Sequence, residues 1–216
     1  THSLEVSQIA RTLAKFFNLN EDLSETLSLA HDLGHTPFGH AGEESLNICM
    51  KNYGGFDHNI QTLRIITLLE NRYYKFKGLN LSFETIDGLI KHNGPVKNLT
   101  KFNRILGKNF FKKKIKFSLN SSLEAQLASI SDDIAYNSHD LEDGLKSNLF
   151  KLKDLKKIPV LDKIIIKHIK KTKKYSIDLI IRQIIREIIN EMVSDVISTT
   201  SKNIKIHKIK NLNDIY

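Results

Sequence analysis

His31 and Asp32 stand side by side, and His35, His40 and Glu43 follow within the next few turns of chain. His2 lies upstream of them and Asp132 far downstream. Imidazole nitrogens and carboxylate oxygens are the donors of transition-metal sites. Two neutral imidazoles with two carboxylates suit a divalent cation such as Mn²⁺, Fe²⁺, Co²⁺ or Zn²⁺. They cancel its charge and leave positions open for water and a phosphate oxygen, which is what a hydrolase needs. Taken singly, each residue has a plainer reading: a His-Asp pair is common, and a lone histidine is usually a surface or hydrogen-bonded core residue. The combination shifts the balance, because a histidine-rich Gly/Pro loop directly after a His-Asp pair is more than a plain turn requires.

These residues need elements to hold them. Leu4, Ile9, Leu13 and Phe16/Phe17 recur at helical spacing, and Asn20-Glu21-Asp22 supplies an N-cap and acidic first turn for a second helix reaching Asp32 and stopped at Gly34. The stretch from Gly34 to Gly42 carries too much glycine and proline for a regular element, so it predicts a fixed loop feeding a helix from Glu43. Residues 59–76 and 82–92 show amphipathic helical patterns, the latter closed by Asn93-Gly94-Pro95. Ser121-Ser122-Leu123-Glu124 offers a capping box for a helix running toward Gly144, with Asp132, Tyr136 and Asp140 on one face. Ile-rich segments follow Pro159 at 160–170 and 177–198, the second with an apolar stripe at 180, 184, 188 and 192. No repeat and no strand pattern is found, so the expected class is all-α.

The 216 residues are 40% hydrophobic and 26% charged, ordinary globular usage. One main domain is expected, a core over 1–150 with a C-terminal helical extension over 151–216. No stretch approaches the roughly 20 apolar residues of a membrane span, no signal-peptide pattern opens the sequence, and one cysteine, Cys49, cannot form an internal disulfide. A soluble, cytoplasmic protein without membrane association is expected. The net charge of +9 is regional, with Lys crowded into 97–116 and 151–174. Val96 to Asn120 reads as an exposed basic excursion. Such segments attract nucleotides and, weakly, single-stranded nucleic acid without selecting among anions; a compositional bias toward Lys, Asn and Ile, which leaves solvated Lys faces with no partner, is the better explanation.

Several runs stand out together: Thr1-His2-Ser3-Leu4-Glu5-Val6, His31 through Glu43, Gly55-Phe56-Asp57-His58-Asn59 through Arg64, Lys91-His92-Asn93-Gly94-Pro95, and Ser131-Asp132-Asp133-Ile134-Ala135-Tyr136-Asn137-Ser138-His139-Asp140. In content and order they resemble the signature blocks of the bacterial dGTPase-like branch of the HD-domain hydrolases. The His-Asp pair alone suggests only the HD superfamily; the loop and the Asp-x-Ile-Ala-Tyr block narrow it.

The resemblance implies an HD-domain helical bundle around a mononuclear metal site that hydrolyses dGTP or other dNTPs to deoxynucleoside and inorganic triphosphate. It implies that His2, His31, Asp32 and Asp132 hold one divalent cation (Mn²⁺, Mg²⁺, Fe²⁺, Co²⁺, Ni²⁺ or Zn²⁺). Asp133 competes with Asp132, and the spacing to Tyr136 and Asp140 favours Asp132. It further implies that His40 and Glu43 are the catalytic pair, that His35 and His58 lie near the phosphates, and that Tyr136 and Asp140 contact the deoxyribose. Tyr136 read alone is equally a core tyrosine, His58 a helix-start neighbour, and His92 part of a helix stop outside the site. Nucleotide activators and a homo-oligomer, often a hexamer, belong to the same expectation. The family places an arginine three residues before the first metal histidine, a position upstream of Thr1. Its animal member has a lysine where this sequence has Asp133. Two other readings stay open: a different HD-family nucleotidase or phosphodiesterase, and a catalytically dormant nucleotide- or single-strand-binding module.

Overall fold

Helices dominate residues 1–98, 100, 102, 115–170 and 174–215, which the computed structural model describes, and no strand occurs among them. The helices are α1 (His2–Phe16), α2 (Glu21–Ala30), α3 (Gly39–Cys49), α4 (His58–Arg64), α5 (Phe83–Ile90), α6 (Leu123–Lys146), α7 (Leu152–Leu155), α8 (Pro159–Ile169) and α9 (Ile177–Ile206). Short polar side chains start several of them by accepting from a backbone amide that has no intrahelical partner. Asn20 does so from Leu23, Asp57 from Ile60, Ser82 from Thr85 and Ser176 from Leu179. Pro159 opens α8, where its missing N–H costs nothing.

Three expectations are adjusted. The helix expected from Glu43 begins at Gly39: Phe38 takes a left-handed conformation (φ 68°), which turns the chain sharply enough for the helix to start a full turn earlier. Gly42 then sits inside the first turn because a Cβ there would meet the Pro37 carbonyl oxygen at 1.9 Å. The helix expected over 59–76 ends early: α4 passes into a π-helical turn, Ile65–Leu69. The chain then doubles back, with the Gly78 amide donating to the Glu70 carbonyl and the Leu79 amide to that of Ile66. Burial of Leu79 and Leu81 against the core favours this return over further helix. The capping box expected at α6 is one-sided. Ser122 Oγ accepts from the Ala125 amide, while Glu124 is taken by the backbone amide of Asn20.

Most of the basic stretch at 97–120 lies outside the described residues. Its end departs from the exposed excursion expected, since Ile115 is buried and the Val96 amide donates to the Phe117 carbonyl. The Ile-rich stripe of α9 behaves as read: Ile180, Ile184 and Ile188 are buried and Met192 packs partly against them.

The chain divides into two compact units, Thr1 with Ser3–Ser131 and Ile209–Tyr216, and His2 with Asp132–Lys208. The first has a mixed core built on Leu27, Leu63, Ile66, Leu89 and Ile90, with Ala125 and Ala128 of α6. Gly88 lets α5 approach, since a Cβ there would meet Leu27 Cδ2 at 2.6 Å. The second has an aliphatic core of Leu145, Leu152, Ile164, Ile165, Ile181, Ile184 and Ile185. No helix among the described residues is long and apolar enough to cross a membrane.

Candidate active-site residues

His31 caps the end of α2 and is 3% exposed. Its Nδ1 lies 2.7 Å from the Ser28 carbonyl oxygen, so Nδ1 carries the proton and donates. That tautomer leaves the lone pair on Nε2, which lies 3.2 Å from Asp32 Oδ1. A backbone carbonyl behind one ring nitrogen with a carboxylate beside the other is the arrangement that orients a ligating histidine. Thr62 holds this corner from α4: its hydroxyl donates to the His31 carbonyl and accepts from the Gly34 amide. Gly34 is required there, because a Cβ would come within 2.1 Å of the His58 carbonyl oxygen. The His92 ring packs against His31 at 4.9 Å between centroids. His92, expected only as part of a helix stop, thus lies against His31; its run Lys91-His92-Asn93 is the signal in the sequence, whereas nothing there marks Thr62 or Ser28.

Of the other expected ligands, His2 and Asp132 are paired, with Nε2 to Oδ1 at 2.8 Å. The His139 ring stands edge-on to His2 at 5.6 Å. The donor chemistry of both pairs, imidazole nitrogen beside carboxylate oxygen, fits a divalent cation of intermediate hardness.

The loop and α3 deliver a second cluster. His35 and His40 flank the sharp turn at Phe38, and His58 opens α4, capped by Asp57. The three rings approach one another at 4.3 Å (His35 and His58), 5.4 Å (His35 and His40) and 6.0 Å (His40 and His58) between centroids. One nitrogen from each lies within 4.8 Å of the others. Glu43, one turn into α3, accepts twice from His58: from its backbone amide at 2.8 Å through Oε1 and from Nδ1 at 2.8 Å through Oε2. The same Oε2 is 3.6 Å from His40 Nδ1. Glu43 therefore holds His58 firmly and His40 loosely, whereas the sequence reading paired it with His40 alone. The His58 partnership depends on the chain after α3 bringing the first residue of α4 to Glu43, which no local pattern announces.

The electrostatics follow from these contacts. Burial alone would raise the Glu43 carboxyl, but the backbone and side-chain hydrogen bonds from His58, its charge, and the contact with His40 outweigh it and hold Glu43 below the usual carboxylate range. Burial pulls His35 below the ordinary imidazole value; Asp32, 3.5 Å from its Nδ1, opposes the shift, and His58 and His40 add to it. His40, with 69% of its side chain exposed, is the most open of the four.

Tyr136 and Asp140 lie on α6 with Asp132, at successive four-residue steps of about 6 Å along the helix. Tyr136 is half exposed, which rules out the core-tyrosine reading.

The HD domain family model matches residues 1–137. The chain is 56% identical to a deoxyguanosinetriphosphate triphosphohydrolase-like protein of Pelagibacter ubique over 216 residues, all of this chain and 58% of that protein. It is 45% identical to one of the same name from Rickettsia typhi over 215 residues, all of this chain and 56% of the relative. A Parvibaculum lavamentivorans protein of that name is 54% identical over 165 residues, 74% of this chain and 42% of the relative. The chain thus spans between about two fifths and three fifths of the length of these curated relatives. Its blocks around His2, His31-Asp32, His58 and Asp132 all fall within the matched residues, and the chain belongs to the HD domain family.

Proposed function

We propose that this chain is the catalytic part of a metal-dependent deoxynucleoside triphosphate triphosphohydrolase. The observation that carries the reading is the Glu43 carboxylate joined to His58 and set beside His40, directly downstream of the buried, oriented His31 and its neighbour Asp32. A generic metal phosphatase needs the metal pair; it has no need of three further imidazoles organised by a carboxylate. The names of the relatives, all triphosphohydrolase-like, support the same reading.

In this proposal His2, His31, Asp32 and Asp132 hold one divalent cation. The cation supplies Lewis acidity and makes water more acidic. His35 and His58 receive phosphate oxygens, with Glu43 fixing the His58 ring so that its Nε2 faces outward. His40, open to solvent and on the first turn of α3, serves the α-phosphate as acid/base group and protonates the departing 5′-oxygen. Water attacks the α-phosphorus, the bond to the 5′-oxygen breaks as His40 hands over its proton, and the deoxynucleoside leaves with the triphosphate intact, the water's proton passing to solvent. Tyr136 packs where a 2′-hydroxyl would clash, and Asp140 accepts from the 3′-hydroxyl.

The test is to mix the purified chain with Mn²⁺ and dGTP, and in parallel with the other dNTPs, and identify the anion released. Inorganic triphosphate supports the reading. Pyrophosphate or phosphate replaces it with another HD-family nucleotidase, and binding without release replaces it with a dormant nucleotide-binding module. Tyr136→Ala is expected to raise GTP turnover relative to dGTP. Asp140→Ala is expected to lower dGTP turnover by the worth of one buried hydrogen bond, about 1–3 kcal/mol.

A further inference from the structure

We propose that His35, His40 and His58 form a second cation site, separate from the one assigned to His2, His31, Asp32 and Asp132. It takes a borderline-soft divalent ion such as Zn²⁺ and has Glu43 as its outer carboxylate.

Three imidazoles with nitrogens within 4.8 Å of one another are already close to what zinc requires. A tetrahedral ion with bonds of about 2.0–2.1 Å holds its ligands about 3.4 Å apart, so the rings must close by little more than an ångström. His40 can make that movement, since it is largely exposed and follows directly on the turn at Phe38 and Gly39. The tautomers are prearranged as well. His58 donates its Nδ1 proton to Glu43, and His40 Nδ1 faces the same oxygen at 3.6 Å. Asp32 Oδ1 lies 3.5 Å from Nδ1 of His35, a nitrogen that is buried and makes no hydrogen bond. Protons drawn toward these carboxylates leave lone pairs on the opposite nitrogens, the carboxylate–histidine–metal arrangement that raises ligand basicity. Three protein ligands leave one position open, to water or a phosphate oxygen.

The two donor sets differ in kind. A site with two carboxylates tolerates harder ions such as Mn²⁺ and Mg²⁺, whereas an all-imidazole site favours Zn²⁺, Ni²⁺ or Co²⁺. A zinc ion in the second site would occupy the lone pair that His40 uses in the proposed hydrolysis, so loading it would silence turnover. That consequence rests on the proposed function; the binding itself does not.

The experiment is a calorimetric titration of the chelator-treated chain with Zn²⁺ alone, repeated with Co²⁺ while following the visible absorption of the cobalt complex. Two equivalents are expected for the unaltered chain, and one each for His2→Ala and His58→Ala. Glu43→Gln should keep the second equivalent with roughly 10–100-fold weaker affinity, the usual effect of losing an outer-shell carboxylate. The intense four-coordinate cobalt band should survive in His2→Ala and vanish in His40→Ala, whose exposed side chain can be removed without unfolding the chain. Zinc binding that is unchanged in stoichiometry and affinity in both His40→Ala and His58→Ala, or no zinc binding at all, overturns the proposal. Neither readout involves hydrolysis, so failure here and failure of the proposed activity are told apart.

Discussion

Among the described residues two glutamate–histidine pairs look alike locally and sit in opposite surroundings. Glu43 binds His58 on α3, a helix in which no residue is fully buried. Glu187 on α9 binds His168 and Lys167 of α8, and beside it Ile184, Ile185 and Ile188 fill the aliphatic core. In the second unit the polar contact decorates an interface that apolar burial already holds. In the first, α3 has little apolar anchorage, and Glu43, Thr36 and the turn at Phe38 do the positioning. A carboxylate that organises imidazoles without a core beneath them is arranged for chemistry; one that ties two packed helices is arranged for stability. Substitutions in the two regions should therefore move different observables.

The largest effect is expected upstream of both. His31→Ala and Asp32→Ala should each strip the first cation and abolish hydrolysis, because few ligands share the ion. Full metal occupancy in both variants, measured by elemental analysis of protein purified without chelator, would remove them from the ligand set. Next come Glu43→Gln and His40→Ala, where hydrolysis should fall roughly 10²-fold or more with the first cation retained, as for an acid–base group and its positioning partner. In Glu43→Gln the loss should appear in kcat with a changed pH profile, which a merely structural carboxylate would not produce. Glu187→Gln should leave kcat alone; a comparable loss there would erase the contrast between the two pairs. Ile184→Ala, at a fully buried position, should destabilise by about 2–5 kcal/mol through lost burial and the cavity left behind, read from denaturant unfolding. Ile48→Ala on α3, two-thirds exposed, should move it by less than about 0.5 kcal/mol.

The same contrast explains what the sequence made legible. Periodicity reports burial, so the stripe at Ile180, Ile184 and Ile188 and the single face shared by Asp132, Tyr136 and Asp140 were readable from spacing alone. The His31-Asp32 pair and its loop were readable from residue type. What escaped was set by tertiary approach: α3 starts at Gly39 because Phe38 adopts a left-handed backbone that its side chain disfavours, and Glu43 turns to His58 because the chain after α3 brings the start of α4 to it. The early end of α4 has the same origin, since the pull of Leu79 and Leu81 toward the core acts across residues that read locally as helix. Thr62, which clamps His31 to Gly34, carries no local signal.

The smallest expected effect separates the two pairs by pH. Hydrogen bonds from Lys167 and then His168 hold the Glu187 carboxyl below its ordinary value against a minor opposing effect of burial. A carboxylate whose folded-state pKa is depressed contributes stability that is fully present above the unfolded value, near 4.3. That contribution is lost as the pH falls through the lower folded value. The pair is partly solvated, so its worth is that of a surface ion pair, about 0.2–1 kcal/mol, and it should shrink in salt. Glu43 is depressed as well and adds a loss of the same sign, so the unaltered chain alone cannot assign the slope. Unfolding free energies should therefore be measured from pH 7 to pH 3 for the unaltered chain and for Glu187→Gln. At pH 7 the variant should be the less stable, and the two curves should converge below pH 4 as Glu187 takes up its proton. Parallel curves over the whole range would mean that Glu187 contributes through packing rather than charge. The second pair would then differ from the first in kind and not merely in surroundings.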